Sequence, residues 1–182
     1  MSKIQKNVLI VIALTQFVFP AGSDIFKSLI LPGWGESSLG HSSRAKFFFF
    51  SEVIVLSSHF LGKRFYDSYV DQYTGMAELY AGVDMDGRDY DFIIDMSNHD
   101  SMTDYNNFTS RHHYRDVEKL LYDGETEDWN WESSRKRREF DQLRRNSVVA
   151  EVVSDFALAG LILNRVISLI DVVYLSKRES SV

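Results

Sequence analysis

The stretch 44-RAKFFFFSEVIVLSSHFLGKRF-65 sets Arg44 and Lys46 before, and Lys63 and Arg64 after, the mostly apolar 15-residue run 47–61. Cations at both ends can keep their charges in water while their stems lie along apolar surface, and phenylalanine suits the edge of a hydrocarbon layer. Embedded in the run are Glu52 and His59, which are seven residues apart and therefore share one face of a helix. A charged side chain surrounded by hydrocarbon is costly, so that face is expected to meet a partner.

The partner is found near the other end of the chain. Residues 147–178, SVVAEVVSDFALAGLILNRVISLIDVVYLSKR, are long enough for a spanning helix and close on Lys177 and Arg178. Asn164, Ser168 and Asp171 fall at helical spacing and form a polar stripe, with Arg165 adjacent. A pairing of Glu52 with Arg165 would neutralise both, and Ala157, Ala159 and Gly160 would let two helices approach closely. A second reading stays open. Neither segment reaches 18 uninterrupted apolar residues, so both could be buried helices of a soluble all-α protein.

Composition narrows the function classes. The 182 residues hold no cysteine, which removes disulfides, thiolate metal sites and thiol nucleophiles together. A net charge of −6 argues against nucleic acid, whose binding requires a basic face. The charge is also segregated: residues 65–132 carry 17 acidic and 4 basic side chains, whereas residues 133–145 carry two acidic and six basic. At the start, Lys3 and Lys6 precede an apolar run from Val8 to Phe19, followed by Pro20 and Ala21-Gly22-Ser23. That order is expected of a signal peptide or N-terminal anchor over residues 1–23.

The loop 27-KSLILPGWGESSLG-40 holds one of the two prolines and three of the ten glycines. No lysine followed by Ser/Thr closes it as a phosphate loop requires. Pro32, Gly33, Trp34, Gly35 and Gly40 are instead expected to serve backbone geometry, as the bend of a helical hairpin over residues 25–62, with Trp34 at a membrane interface. In the polar middle, residues 64–82 read as an amphipathic helix ending near Gly82, 83–110 as a region of turns, and 112–124 as resumed helix. Asp84, Asp86, Asp89 and Asp91 lack the glycine and glutamate of a calcium loop. His112, His113 and Asp116 are a candidate for a metal-dependent enzyme site, without a second histidine-rich element beside them in the sequence. Trp129 and Trp131, just before a basic run, are expected as interface anchors.

Three segments together, 27–52, 128–147 and 163–178, resemble a family of bacterial envelope membrane proteins with an LPGxGQ-like loop, catalogued as a domain of unknown function. Pro32, Gly33, Gly35 and Gly40 match the family's loop; Trp129 and Trp131 match its central stretch; Asn164, Ser168 and Asp171 match its final helix. Glu36, Ser38 and Arg165 depart from the pattern, so the resemblance implies no role for them. It implies location and architecture and supplies no activity.

The expectation is thus a mainly α protein of membrane-associated helices with a polar helical segment over about residues 64–146, a single domain over 24–178. Its expected surroundings are the lipid bilayer of a bacterial envelope, the inner membrane rather than the outer, and an envelope protein or a second copy as partner. A non-enzymatic structural or interaction role with no cofactor is expected; the alternative is a soluble all-α or metal-dependent enzyme using His112, His113 and Asp116.

Overall fold

A computed structural model describes residues 24–112, 117–124 and 128–179. The expected signal peptide or anchor lies outside the described residues, as do His113 and Asp116. The described chain is mainly helical, and its sole β feature is an isolated antiparallel bridge between Ser101 and Asn130. In order, α1 spans Asp24–Ile30, α2 Trp34–Ser38, α3 Ser42–Ala81, α4 Tyr90–Asn98, α5 Met102–His112, a 3₁₀ turn Val117–Leu120, and α6 Ser134–Glu179.

Two helices dominate, α3 with 40 residues and α6 with 46. At 1.5 Å per residue each is roughly 60–70 Å long, about twice the hydrocarbon thickness of a bilayer. The change of polarity along each predicts a break there. No break occurs at Lys63-Arg64 or at Asn146-Ser147, because neither junction contains proline, and a single glycine such as Gly62 costs a helix only about 1 kcal/mol. Each long helix therefore has an apolar half and a polar half, and contributes one to each of two compact units: residues up to Phe60 with Ser154 onward, and residues 61–153.

The unit 61–153 is built as water-soluble proteins are. Ala77, Ala81, Phe92, Met96, Trp129, Trp131 and Phe140 form an apolar core, with Tyr73, Tyr80, Tyr105 and Tyr122 packed against it. The turns expected over 83–110 are there, but two helices lie among them. Asp89 caps α4 by accepting a 2.8 Å bond from the Phe92 amide, and Phe92 and Met96 then fall on one buried face. Ser101 accepts from the Asp104 amide and starts α5 in the same way. Asp84 turns onto its own loop, to the Asp86 amide. Of the helix expected over 112–124, His112 ends α5, and over the described residues 117–124 the helical element is the 3₁₀ turn Val117–Leu120.

Gly82 ends α3 with φ of +72°, a conformation that turns the chain away from the helix at little cost only for glycine. The carbonyls of Tyr80 and Ala81, left without partners in their own helix, accept from the amides of Glu132 and Asn130 at 2.8 and 3.1 Å. The intervening Trp131 amide bonds Asp100. Segment 129–132 thus ties the end of α3 to the α4–α5 turn.

Asp100 also receives the Ser134 hydroxyl at 2.7 Å and Arg137 Nε at 2.6 Å, joining that turn to the first turn of α6. The Ser134 bond, followed by Arg137, holds its carboxyl below the usual aspartate value. A depressed carboxylate contributes stability that is present above its unfolded value near 4 and is lost as pH falls through the folded one. Thermal melts between pH 6 and pH 3 are therefore expected to show a falling melting temperature, with a shallower fall in an Asp100→Asn variant. An unchanged slope in that variant would assign the acid sensitivity elsewhere.

Candidate functional site

The other unit has the opposite polarity. Its outer faces carry Phe47, Phe50, Ile54, Phe60, Phe156, Leu163 and Ile170, with Phe60 66% and Phe156 74% exposed. Its interior holds Ser28, Glu36, Glu52, Ser154, Asn164 and Ser168, all buried. The apolar stretches of α3 and α6 are long enough to cross a membrane, and only 17% and 28% of them respectively is covered by the chain. Helices that were the core of a soluble protein would be mostly covered.

The buried polar groups form a seam between α3 and α6. Arg165 Nη2 lies 2.5 Å from Glu52 Oε1, the pairing suggested by the sequence. Glu52 Oε1 has no hydrogen bond and is compensated by this guanidinium charge; Oε2 accepts from Asn164 Nδ2 at 3.0 Å. The same amide nitrogen donates to the Phe48 carbonyl at 3.1 Å. Further along, the His59 ring nitrogen Nδ1 meets both the Ser154 hydroxyl and the Ser154 carbonyl, at 2.9 and 3.1 Å. At the other end Arg44 pairs with Asp171 Oδ1. Gly160 keeps the helices close: a Cβ there would stand 3.1 Å from a Val55 methyl.

Sequence reasoning missed the centre of the seam. Glu36, set aside as a departure from the loop pattern, is 0% exposed and lies in α2, in the middle of the glycine loop. Its two oxygens accept from Ser28 and Ser168 hydroxyls, both at 2.7 Å. Each serine oxygen in turn accepts a backbone amide, Gly35 onto Ser28 at 2.9 Å and Gly33 onto Ser168 at 3.2 Å. Every donor and acceptor in this ring has a defined direction, and both serine protons point at the carboxylate. The signal was present: an acidic residue in an apolar neighbourhood requires partners, and Glu36, Glu52 and Asp171 have the same need.

The loop itself is a bend, but a partly helical one. Gly33 has φ of +94°, and a Cβ on it would enter the Ala45 carbonyl oxygen. Gly35 is packed against the Asp24 carbonyl and the Ser28 side chain in the same way. Pro32 is buried and Trp34 is 47% exposed, while Gly40, with φ of +78°, faces open space. The loop glycines thus do two jobs, allowing close approach at 33 and 35 and a left-handed turn at 40.

Trp129 and Trp131 are not interface anchors. They are 1% and 5% exposed, and their indole N–H groups donate to the carbonyls of His99 and Met96 at 3.2 and 2.8 Å. A tryptophan spent on the protein core has no face left for headgroups. His112 stacks on Phe108 and has its Nδ1 2.8 Å from the Phe108 carbonyl of its own helix. Among the described residues, no three His, Asp or Glu side chains converge as metal ligands would.

Tyr122 donates its hydroxyl to Asp95 at 2.8 Å, and burial with this bond raises its pKa strongly, so it stays neutral in the core. Comparison of the chain with protein-family models, curated proteins and solved structures finds no match.

Proposed function

We propose that this chain is a small membrane protein of a bacterial cell envelope, with a structural or interaction role and no chemistry of its own. One observation carries the reading: the unit buries Ser28, Glu36, Glu52, Ser154, Asn164 and Ser168 while most of its large apolar side chains face outward. In water that arrangement exposes a large continuous apolar surface, which soluble monomers avoid. In lipid it is favourable, because the bilayer solvates the outer faces and the seam pairs most of the polar groups internally by hydrogen bond or opposite charge.

The N-terminal order of lysines, apolar run and small residues supports export to, or anchoring in, the envelope. The resemblance to envelope proteins points the same way. The inner membrane is favoured because outer-membrane spans are barrels. Residues of about 64–146, with their ordinary apolar core and acidic surface, are the part suited to contact a partner in solvent. The non-enzymatic assignment is supported by the seam itself, where Glu36 and Glu52 are engaged by partners of the same chain.

The test is alkaline extraction of membranes from cells producing the full-length protein, combined with protease access to residues 83–130. Retention in the washed pellet, with cleavage from one side only, is expected. Recovery as a monodisperse soluble monomer without detergent would replace this reading by the soluble all-α one.

A further inference from the structure

Beside the loop lies an open groove of about 400 Å³. Its walls are Leu31, Pro32, Trp34, Ala45 and Phe49, and Lys46 stands on its edge. The lining is nearly all apolar, with the Ser37 hydroxyl and the Lys46 ammonium as its polar side-chain groups, too few to match the many donors and acceptors of a sugar, nucleotide or peptide backbone. Gly33 makes the groove by bringing the loop into contact with the backbone of Ala45, one residue before Lys46. Lys46 is exposed, and among the described residues no acidic side chain pairs with it, whereas its neighbour Arg44 is held by Asp171. The lysine also sits where the apolar stretch 47–61 begins, which is the depth of headgroups if that stretch lies in lipid.

We infer that this groove is a binding site for an anionic glycerophospholipid, with one acyl chain along Leu31, Trp34 and Phe49 and the phosphodiester on the Lys46 ammonium. Charge complementarity selects the occupant: an apolar slot with the Lys46 ammonium at its mouth, given no acidic partner among the described residues, matches an acyl chain ending in one negative charge. A zwitterionic lipid would fill the slot equally well but gain little from Lys46, since its own ammonium offsets the phosphate. The inference rests on the membrane reading above, and names a specific lipid contact within it.

The chain provides its own reporter. It has three tryptophans, of which Trp129 and Trp131 are buried in the core of the other unit and Trp34 lines the groove. Full-length protein is reconstituted in mixed phosphatidylglycerol and phosphatidylcholine vesicles of fixed composition, with dibrominated acyl chains on one lipid or the other. Subtracting a Trp34→Phe variant isolates the Trp34 signal.

Quenching by brominated phosphatidylglycerol is expected to exceed that by brominated phosphatidylcholine by about fivefold per mole, the preference one lysine near anionic lipid provides. In Lys46→Gln that ratio should fall to about one, and in Lys63→Gln, at the opposite end of the apolar stretch, it should persist. A wild-type ratio of one, or a ratio retained in Lys46→Gln, overturns the site while leaving the membrane reading intact. The same holds for a Trp34 signal quenched by neither lipid in protein that floats with the vesicles. Protein that does not float at all overturns the membrane reading and the site with it.

Discussion

Replacing Trp131 by alanine is expected to destabilise the unit 61–153 by about 3–5 kcal/mol, the range for truncating a buried aromatic. That is a large share of the 5–15 kcal/mol by which a typical domain is stable. The side chain is 5% exposed, its ring packs on Phe140 with centroids 4.9 Å apart, and its indole donates to the Met96 carbonyl. Alanine leaves a cavity between α4 and α6 and orphans that carbonyl.

Trp131→Phe should recover much of the packing and none of the hydrogen bond, giving an intermediate loss. Thermal denaturation followed by circular dichroism measures both, with Trp34→Ala as the exposed control, expected within about 0.5 kcal/mol of the wild type. An anchor in the membrane interface would behave in the opposite way: Trp131→Ala would melt normally and change only membrane partition.

Gly33→Val is expected to act on the other unit with comparable force. A valine at φ of +94° costs about 1–2 kcal/mol in backbone strain, and more for a branched side chain. Its Cβ would also enter the Ala45 carbonyl, a backbone atom of α3 that cannot swing aside, adding roughly 1–3 kcal/mol of overpacking. Any shift of the loop that relieves the collision pulls the Gly33 amide from Ser168 and loosens the Glu36 ring.

The prediction is reduced accumulation of the protein in the membrane fraction, read by immunoblot against the wild type. Gly40→Ala separates the two causes. It shares the left-handed backbone, with φ of +78°, but meets open space, so it should show the strain alone and accumulate nearly normally. Equal loss in both variants would remove the collision from the account, and normal accumulation of Gly33→Val would remove the loop's structural role.

Much of the helical plan was legible because it is a matter of local pattern. Apolar runs flanked by lysine and arginine, and Glu52 and Arg165 placed in them, are one-dimensional facts, and each implies a helix and a need for a partner. One glycine end is legible too: Gly82 closes α3 as expected, since a positive φ is a property of one residue.

Helix continuity was misread at both long helices, where a change in the polarity of the exposed face looked like a boundary. Backbone hydrogen bonding is indifferent to that change; only proline, or competing caps, would have interrupted it. The helices α4 and α5 are obscured by a composition rich in Asp, Asn and Ser that reads as turns, although Phe92 and Met96 share a buried face of α4.

What the sequence determined by itself is the inventory: two apolar helical segments, a glycine bend, an acidic middle, and charges in apolar surroundings that had to be neutralised. What only the tertiary structure decided is which partner each group found. Trp129 and Trp131 carry the same residue type and the same basic neighbours as a membrane anchor, yet their indoles meet carbonyls of a protein core. Glu36 lies 132 residues from Ser168, one of the two serines that bond it, a separation no local pattern encodes. The physical reason is the same in both cases. Periodicity specifies the face on which a side chain lies, but the cost of burying it is settled by the atoms brought opposite, and those come from distant parts of the chain.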